Sequence, residues 1–282
     1  MLLALACALG LAAPASAADP PRYRDYYDTF ARGNAKIPGT DTRWVPQGLA
    51  YWPEQDALVI SYYDGDKSKN SRLGIIDRAS GAKRKILELP EKGHVGGLAM
   101  SQGYLWVASS GTVSRIAKAK LEGTADGGRL STDSTYKLAA TSFATMEGDD
   151  HLWVGKYEGD RGTPSKAYRY PLTGEEPATG PDKTVTIPSN VQGMAVFGDK
   201  VVLSRSGGMD EGMDADSTLE VRRAADPDSD QGRVITAPNM SEGIVFGKGE
   251  LHVLYESGAA KYAGADYRVK TVHHGKTSDV LG

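Results

Sequence analysis

Cysteine is almost absent from this sequence. The single copy, Cys7, lies in an uncharged, largely apolar run over residues 1–17 that ends in Pro14-Ala15-Ser16-Ala17. Small residues at positions 15 and 17 match the A-x-A pattern of a signal-peptide cleavage site, and the run is too short to span a bilayer. We therefore predict that residues 1–17 are a signal peptide and that the protein is secreted. The remaining chain has no cysteine, which excludes disulfides and thiolate metal sites.

The chain also lacks an excess of charge of either sign. Its 33 Lys and Arg residues nearly balance 36 Asp and Glu, which gives a formal net charge of −3 at pH 7 and a pI near 6.0. Nucleic acids and anionic membrane surfaces are recognised through basic patches, so neither partner is expected. We expect a monomer, although the sequence shows no exposed apolar strip from which an oligomeric state could be inferred.

Short motifs of the common enzyme families are missing. The sequence contains no G-x-S-x-G, no Walker loop, no G-x-G-x-x-G opening a helix and no H-E-x-x-H. The five histidines lack a zinc-ligand spacing, and the adjacent pair His273-His274 would point to opposite faces of a strand. These absences disfavour a serine-triad hydrolase and a zinc enzyme.

A repeat is present instead. Five segments share a sequence pattern. Each begins with a polar or small residue, usually followed by glycine, and continues with an apolar strand, a short turn and a second apolar strand. They begin at Gln47-Gly48-Leu49-Ala50, Gly96-Gly97-Leu98-Ala99, Ser142-Phe143-Ala144-Thr145, Gln192-Gly193-Met194-Ala195 and Glu242-Gly243-Ile244-Val245. The starts are 49, 46, 50 and 50 residues apart. This regularity predicts five equivalent structural units.

Most units continue with a third and a fourth alternating stretch, and no amphipathic helical stretch separates them. Four short strands per unit are typical of one propeller blade. We predict an all-β, five-bladed β-propeller of four-stranded antiparallel blades as a single domain over residues 18–282, with blades starting near 47, 96, 142, 192 and 242. The last unit has no fourth strand of its own. We expect residues 35–38 to pair in the last blade and close the ring.

One position of each second strand is expected to pack between neighbouring blades. It is occupied by Val59, Trp106, Trp153, Val202 and His252. We therefore interpret His252 as a packed histidine rather than a ligand.

The heads of the inner strands should line the mouth of the central channel. They are Gln47, Gly96, Ser142, Gln192 and Glu242, preceded by Trp44, His94, Asn190 and Met240. Glu242 is the one carboxylate of that ring, so it requires either a bound cation such as Ca²⁺ or a positive group on a ligand. The alternative is that Glu242 caps backbone N–H groups or contacts channel water.

The ends of the second strands should lie on the same face as the channel mouth. Aromatic and acidic residues gather there, which suits sugars, peptides and aromatic ligands, although tyrosine is also a good strand former and an acid a good turn former. The candidate ligand-binding residues are Tyr63, Asp64, Tyr157, Glu158, Arg205, Tyr255 and Glu256, together with Gln47, Asn190 and Gln192.

The loop after the second strand of unit four is long and acidic. It contains Asp210, Glu211, Asp214 and Asp216. These carboxylates suit Ca²⁺ in kind, but their spacing is not that of an EF-hand loop, and a solvated acidic loop is the favoured interpretation.

With these repeats the chain resembles the secreted bacterial β-propellers of the broad NHL/YVTN and SMP-30/gluconolactonase-like group. In the lactonase family an E-G-x-x-W phrase supplies a glutamate ligand to a channel Ca²⁺. The nearest matches here are Glu242-Gly243-Ile244-Val245-Phe246 and Gln47-Gly48-Leu49-Ala50-Tyr51. The resemblance implies a calcium-dependent hydrolase in which Glu242 is a metal ligand.

Two functions follow from the sequence. The favoured one is a secreted binding protein that captures a small molecule, a glycan or an extracellular protein at the channel face. The alternative is a calcium-dependent lactonase or esterase, with Gln47, Gln192 and Asn190 completing the oxygen shell around the ion and His94 as general base.

Overall fold

The computed structural model describes residues 19–207, 212–228 and 232–282. The predicted signal peptide, with Cys7, lies outside the described residues. Five antiparallel sheets surround one axis and form a five-bladed β-propeller, as the repeat predicts. In order from the inner to the outer strand, the first two blades are β2 (Trp44–Trp52), β3 (Ala57–Asp64), β4 (Arg72–Asp77) and β5 (Lys83–Glu88), then β6 (Gly97–Met100), β7 (Tyr104–Ser109), β8 (Thr112–Ala117) and β9 (Ser134–Tyr136).

The other three blades have the same layout. Blade 3 contains β10 (Phe143–Glu147), β11 (His151–Gly155), β12 (Ser165–Thr173) and β14 (Lys183–Ile187), with the short β13 (Glu176–Pro177) as a fifth strand beside β12. Blade 4 contains β15 (Val191–Phe197), β16 (Lys200–Arg205), β17 (Ser217–Arg223) and β18 (Val234–Ala237). Blade 5 contains β19 (Ser241–Gly247), β20 (Glu250–Tyr255), β21 (Thr271–Lys276) and, from the N-terminal side of the chain, β1 (Ala31–Lys36).

The strand β1 closes the ring. It pairs antiparallel with β21, with Arg32 opposite His273 and Lys36 opposite Thr271, and the Ile37 N–H donates to the Lys270 carbonyl oxygen at 2.8 Å. The predicted closure is confirmed, but the strand starts at Ala31, four residues earlier than expected. This pairing covers a sheet edge that would otherwise expose unpaired backbone groups.

Glycine of the repeated phrase lets the inner strands approach one another directly. A Cβ at Gly97 would lie 2.6 Å from the backbone nitrogen of Ala144 in the next blade, and a Cβ at Gly243 would lie 2.5 Å from that of Leu49. A Cβ at Gly193 would likewise lie 2.6 Å from the Glu242 carbonyl oxygen. The repeat therefore contains glycine because neighbouring inner strands touch through their backbones.

The predicted packing between blades is confirmed. Val59 packs with residues of blades 1 and 2, Trp106 with blades 2 and 3, Trp153 with blades 3 and 4, and Val202 with blades 4 and 5. His252 occupies the same position in blade 5 and is 2% exposed. Burying these large side chains at each seam supplies the apolar contact that holds adjacent blades together.

Short helices depart from the all-strand prediction. Helix α2 (Lys118–Gly123) connects β8 to β9, and α1 (Arg24–Thr29) and α3 (Thr277–Leu281) flank blade 5. The expectation that no helix interrupts the strands is therefore wrong in blade 2, where Leu121 of α2 packs into the core. In the part of the chain that the structure describes, no helix has the length and apolar character needed to cross a membrane.

The helix α1 docks through a buried cluster of aromatic rings. The hydroxyl of Tyr26 lies 2.9 Å from His273 Nδ1. The hydroxyl of Tyr255 donates to the Tyr26 hydroxyl at 2.7 Å. Tyr26 also stacks on Phe30 with ring centroids 4.6 Å apart. The N-terminal segment is thus attached to blade 5 by polar contacts inside an apolar interface.

Candidate functional site

A polar pocket of about 470 Å³ opens at one end of the central channel. All five predicted heads of the inner strands line it, because the 4→1 connections of the five blades meet at this end. The pocket also contains ends of second strands and parts of two rim loops. Seven of the predicted site residues come together there: Gln47, Tyr63, His94, Tyr157, Gln192, Glu242 and Glu256.

Two buried carboxyl groups form the most unusual feature of this pocket. Glu242 lies on β19 and is 2% exposed, and Glu256 follows β20 directly and is 5% exposed. Their side chains are hydrogen-bonded to each other. Burial, and for Glu242 also the charge of Glu256, raises the pKa of both groups above the usual range for glutamate. The two carboxyl groups therefore titrate together, and the pair holds a proton to a higher pH than isolated glutamates would.

Gln47 connects this pair to the pocket rim. Its Nε2 donates to Glu256 Oε2 at 2.9 Å and to the Pro46 carbonyl oxygen at 3.0 Å. Its Oε1 lies 3.2 Å from His94 Nδ1. The side chain is 4% exposed, so it forms a fixed bridge between the carboxylate and the imidazole.

His94 stands at the rim with one face of its ring covered. The ring stacks on Tyr63, with centroids 4.3 Å apart and an interplanar angle of 19°. His94 is exposed at the rim, but the pocket wall removes part of the hydration of its ring, and this desolvation together with the positive charges of Lys261 and Lys67 lowers the pKa of His94. The imidazole is therefore neutral at pH 7.

A hydrogen-bonded chain leads from the rim down to Glu256. Lys261 Nζ donates to the Tyr63 hydroxyl at 2.8 Å, Tyr63 is hydrogen-bonded to Tyr262, and Tyr262 is hydrogen-bonded to Glu256. Because an ionised carboxylate only accepts, the Tyr262 hydroxyl must donate to it. Burial raises the pKa of both tyrosines, so both remain protonated donors.

Sequence reasoning missed Lys261 and Tyr262 as well as the opposite wall of the pocket. The two residues belong to a single 3-10 turn over Ala260–Tyr262 in the connection from β20 to β21, and nothing in their sequence pattern marks them. Apart from the predicted strand head Ser142, the opposite wall consists of small residues that were not predicted: Ser109, Ser110, Gly111 and Thr141. A hydrophobic repeat has no signal for either group, because these residues lie in loops or, for Ser109, at the end of a strand.

Non-glycine residues adopt left-handed backbone conformations just before three inner strands. They are Val95 (φ 48°), Asn190 (φ 62°) and Met240 (φ 60°). Such a conformation is unfavourable for a β-branched residue such as Val95. The carbonyl oxygens of two of these residues accept hydrogen bonds from the residue that follows the second strand. The Ser206 N–H donates to Asn190 and the Glu256 N–H donates to Met240. The turn thereby fixes Glu256 relative to the inner strand.

Two predicted residues are placed away from the pocket. Asp64 is 2% exposed, pairs with Arg43 and accepts from the backbone N–H groups of Ser68 and Lys69 at 2.9 and 2.7 Å. These contacts hold its pKa well below the usual range, and they make it a turn residue. Tyr255 is fully buried and points toward α1, where its hydroxyl donates to Tyr26.

Three further predicted residues lie on the same face beside the pocket. Asn190 and Arg205 line a separate depression of about 270 Å³. The guanidinium of Arg205 donates to the Ser189 carbonyl oxygen at 2.8 Å and to the buried Glu220 at 2.5 Å. Glu158 forms an ion pair with Lys156 at 3.1 Å. The structure does not bring these three residues into contact with the Glu242–Glu256 pair.

The acidic loop of unit four is only partly described. Asp210 and Glu211 lie outside the described residues. Asp216 accepts from the Tyr23 hydroxyl at 2.6 Å and from Arg22 at 2.9 Å, and Asp214 accepts from the Asp266 N–H at 2.7 Å. Across the described ranges, no group of three or more His, Cys, Asp or Glu side chains is placed to hold a metal ion.

Comparison with known proteins identifies the fold. No family model matches the sequence, and no curated protein matches it. Among solved structures, the chain is similar to the glutaminyl cyclase of Myxococcus xanthus, with a TM-score of 0.54 at 10% identity over 88% of this chain and 97% of that one. A chain of a nidogen/laminin complex matches with a TM-score of 0.44 at 12% identity over 76% of this chain and 73% of that one. The first similarity supports the propeller architecture.

Proposed function

We propose that the protein binds, in the pocket at the channel mouth, a small molecule that carries a positively charged amine. The observation that supports this proposal is the Glu242–Glu256 pair. Both carboxyl groups line the pocket, and within the described residues neither forms an ion pair with a cationic side chain. Burial raises the pKa of both carboxyl groups by more than the positive charge of Lys261 lowers it, so the pair retains a proton.

An ammonium group has the properties needed to bind the two carboxyl groups. It supplies a positive charge and three hydrogen-bond donors, so it can replace the shared proton and allow both carboxylates to ionise. Binding should then release a proton, and affinity should increase as the pH rises. The ring of Tyr157 lines another part of the wall and offers an apolar face to the rest of the ligand.

Isothermal titration calorimetry with glycinamide tests this proposal, with N-acetylglycinamide as a matched probe that has no charge. Titrations in buffers of different ionisation enthalpy count the protons released. We expect glycinamide alone to bind, with proton release, and Glu242→Gln and Glu256→Gln each to weaken it at least tenfold, equivalent to about 1.4 kcal/mol. Glu158→Gln, on the same face outside the pocket, is the control. Equal binding of both probes, or unchanged affinity in both pair variants, would overturn the proposal.

Acid–base catalysis in the same pocket is the second candidate function. It is favoured by one arrangement: a carboxylic acid, Glu242, and a neutral imidazole, His94, are connected through Glu256 and Gln47. An acid and a base held around one pocket are the elements of proton-transfer catalysis. Hydrolysis of a lactone or an aryl ester and cyclisation of a glutaminyl substrate, the activity named for the Myxococcus protein, are the reactions to assay. Turnover that disappears in both Glu242→Gln and His94→Gln would favour catalysis over simple binding.

A channel Ca²⁺ belongs to this second candidate and stays a prediction. Glu242, Glu256 and Gln47 offer oxygen ligands, but the ion would have to displace the proton that joins the carboxyl groups. Thermal melts with Ca²⁺ and with excess chelator decide the point, because a ligand at about 100 times its Kd adds roughly 2.7 kcal/mol of stability. Melting curves that coincide would remove calcium from the proposal. Secretion and a glycan or protein ligand also remain predictions.

A further inference from the structure

The amide of Gln47 has one orientation that satisfies its surroundings. Nε2 faces two acceptors, the Pro46 carbonyl oxygen at 3.0 Å and Glu256 Oε2 at 2.9 Å. If the amide were rotated by 180°, Oε1 would face the Pro46 carbonyl, which has no proton to donate. The Pro46 contact therefore fixes the orientation whether Glu256 is ionised or protonated.

This orientation determines where the proton of His94 lies. Oε1 of Gln47 is 3.2 Å from Nδ1 of His94, and an amide oxygen only accepts. Nδ1 must therefore carry the hydrogen. In a neutral imidazole the other nitrogen then has the free lone pair, so Nε2 becomes the proton acceptor of the ring.

The other groups near His94 agree with this assignment. Lys261 and Lys67 bear positive charges that disfavour a second proton on the ring. Tyr63 covers a ring face through stacking, and its hydroxyl accepts from Lys261 and is hydrogen-bonded to Tyr262 rather than to His94.

We propose that Gln47 is a positioning residue that holds His94 in the Nδ1–H tautomer and so makes Nε2 the acceptor for a ligand in the pocket. The inference rests on the proposed binding of an amine, whose N–H groups need such an acceptor in addition to the carboxylates. Gln47 acts through His94 and Glu256.

Nuclear magnetic resonance of the full chain with ¹⁵N-labelled histidine tests the tautomer directly. Long-range proton–nitrogen correlation at pH 7.5 shows which ring nitrogen carries the hydrogen, and the His94→Gln variant assigns the signal. We expect the Nδ1–H pattern in the wild type, a mixture of both tautomers in Gln47→Leu, and the wild-type pattern in Gln192→Leu. Gln192 occupies the same inner-strand position in blade 4 and lines the same pocket.

The position of the His94 proton in wild type and in Gln47→Leu either supports or contradicts the proposal. The proton on Nε2 in the wild type would overturn the proposal even if Gln47→Leu failed to fold, and an unchanged tautomer in a folded Gln47→Leu would overturn it as well. Glycinamide added to the wild type should shift the Nε2 resonance. If the tautomer is as expected but neither this shift nor calorimetric binding appears, the amine-binding function fails while the positioning contact stands.

Discussion

His252 provides a direct test of how burial controls the stability of this propeller. It is 2% exposed, and its Nε2 has no hydrogen-bond partner within the described residues. Glu250 lies 3.9 Å away but already binds Arg78 and His274. Blades 1 and 4 have valine at the equivalent position, so His252→Val replaces the imidazole with the residue that the same fold uses elsewhere.

The magnitude follows from the pKa of His252. Burial lowers it from 6.5 to about 4. As the pH falls below 6.5 the unfolded chain takes up a proton that the folded chain refuses, so this group destabilises the fold progressively between pH 6.5 and 4. At pH 4.5 the loss is about 2.5 kcal/mol, since one pKa unit corresponds to about 1.36 kcal/mol. The valine variant should not show this loss.

Urea denaturation at pH 7.5 and pH 4.5 measures the effect. The free energy of unfolding of His252→Val, relative to wild type, should increase by about 2.5 kcal/mol between the two pH values. His273 is also buried and neutral, but it is common to both proteins and cancels in the difference. The reverse change in blade 4, Val202→His, should introduce a similar sensitivity to acid. Parallel pH dependences of wild type and His252→Val would refute the reasoning.

Three further predictions concern other parts of the structure. As the pH rises from 5 to 8, Glu242 ionises in the unfolded wild-type chain but keeps its proton in the folded chain, so the free energy of unfolding of the wild type declines. Glu242→Gln has no such group, so urea titrations should show it gaining stability relative to wild type over this range. Gly97→Ala should lower the melting temperature, because its Cβ would lie 2.6 Å from Ala144 N, whereas Gly123→Ala meets nothing within 4 Å and should not. Tyr26→Phe removes two buried hydrogen bonds and should cost about 1–3 kcal/mol in urea unfolding, with no effect on glycinamide affinity.

The architecture could be predicted from sequence because each blade repeats the same physical requirements. Four of the five units have a glycine where inner strands touch, and every unit has a buried side chain at the seam, so Gly97 and Trp106 have counterparts in other units. Closure by the N-terminal strand follows from the missing fourth strand of the last unit. Helix α2 has no such signal, since only Leu121 of its six residues is buried.

The site was only partly predictable. Periodicity identifies which residues head the inner strands, and it therefore places Gln47 and Glu242 at the channel mouth. It does not show which of the adjacent residues Tyr255 and Glu256 faces α1 and which faces the pocket. Nor does it show that Lys261 returns to the rim, because a short 3-10 turn brings it there.

The close approach of the inner strands also accounts for the chemistry of the carboxyl pair. Gly243 and Gly193 allow three neighbouring inner strands to come within backbone contact next to Glu242. A carboxylate at that position loses most of its hydration, and the positive charge of Lys261 offsets this only in part, so burial raises the pKa of Glu242. Substituting alanine for either glycine should widen the ring and admit water. Glu242 directly precedes Gly243, the glycine of the repeated phrase, so the site and the fold are expected to change together.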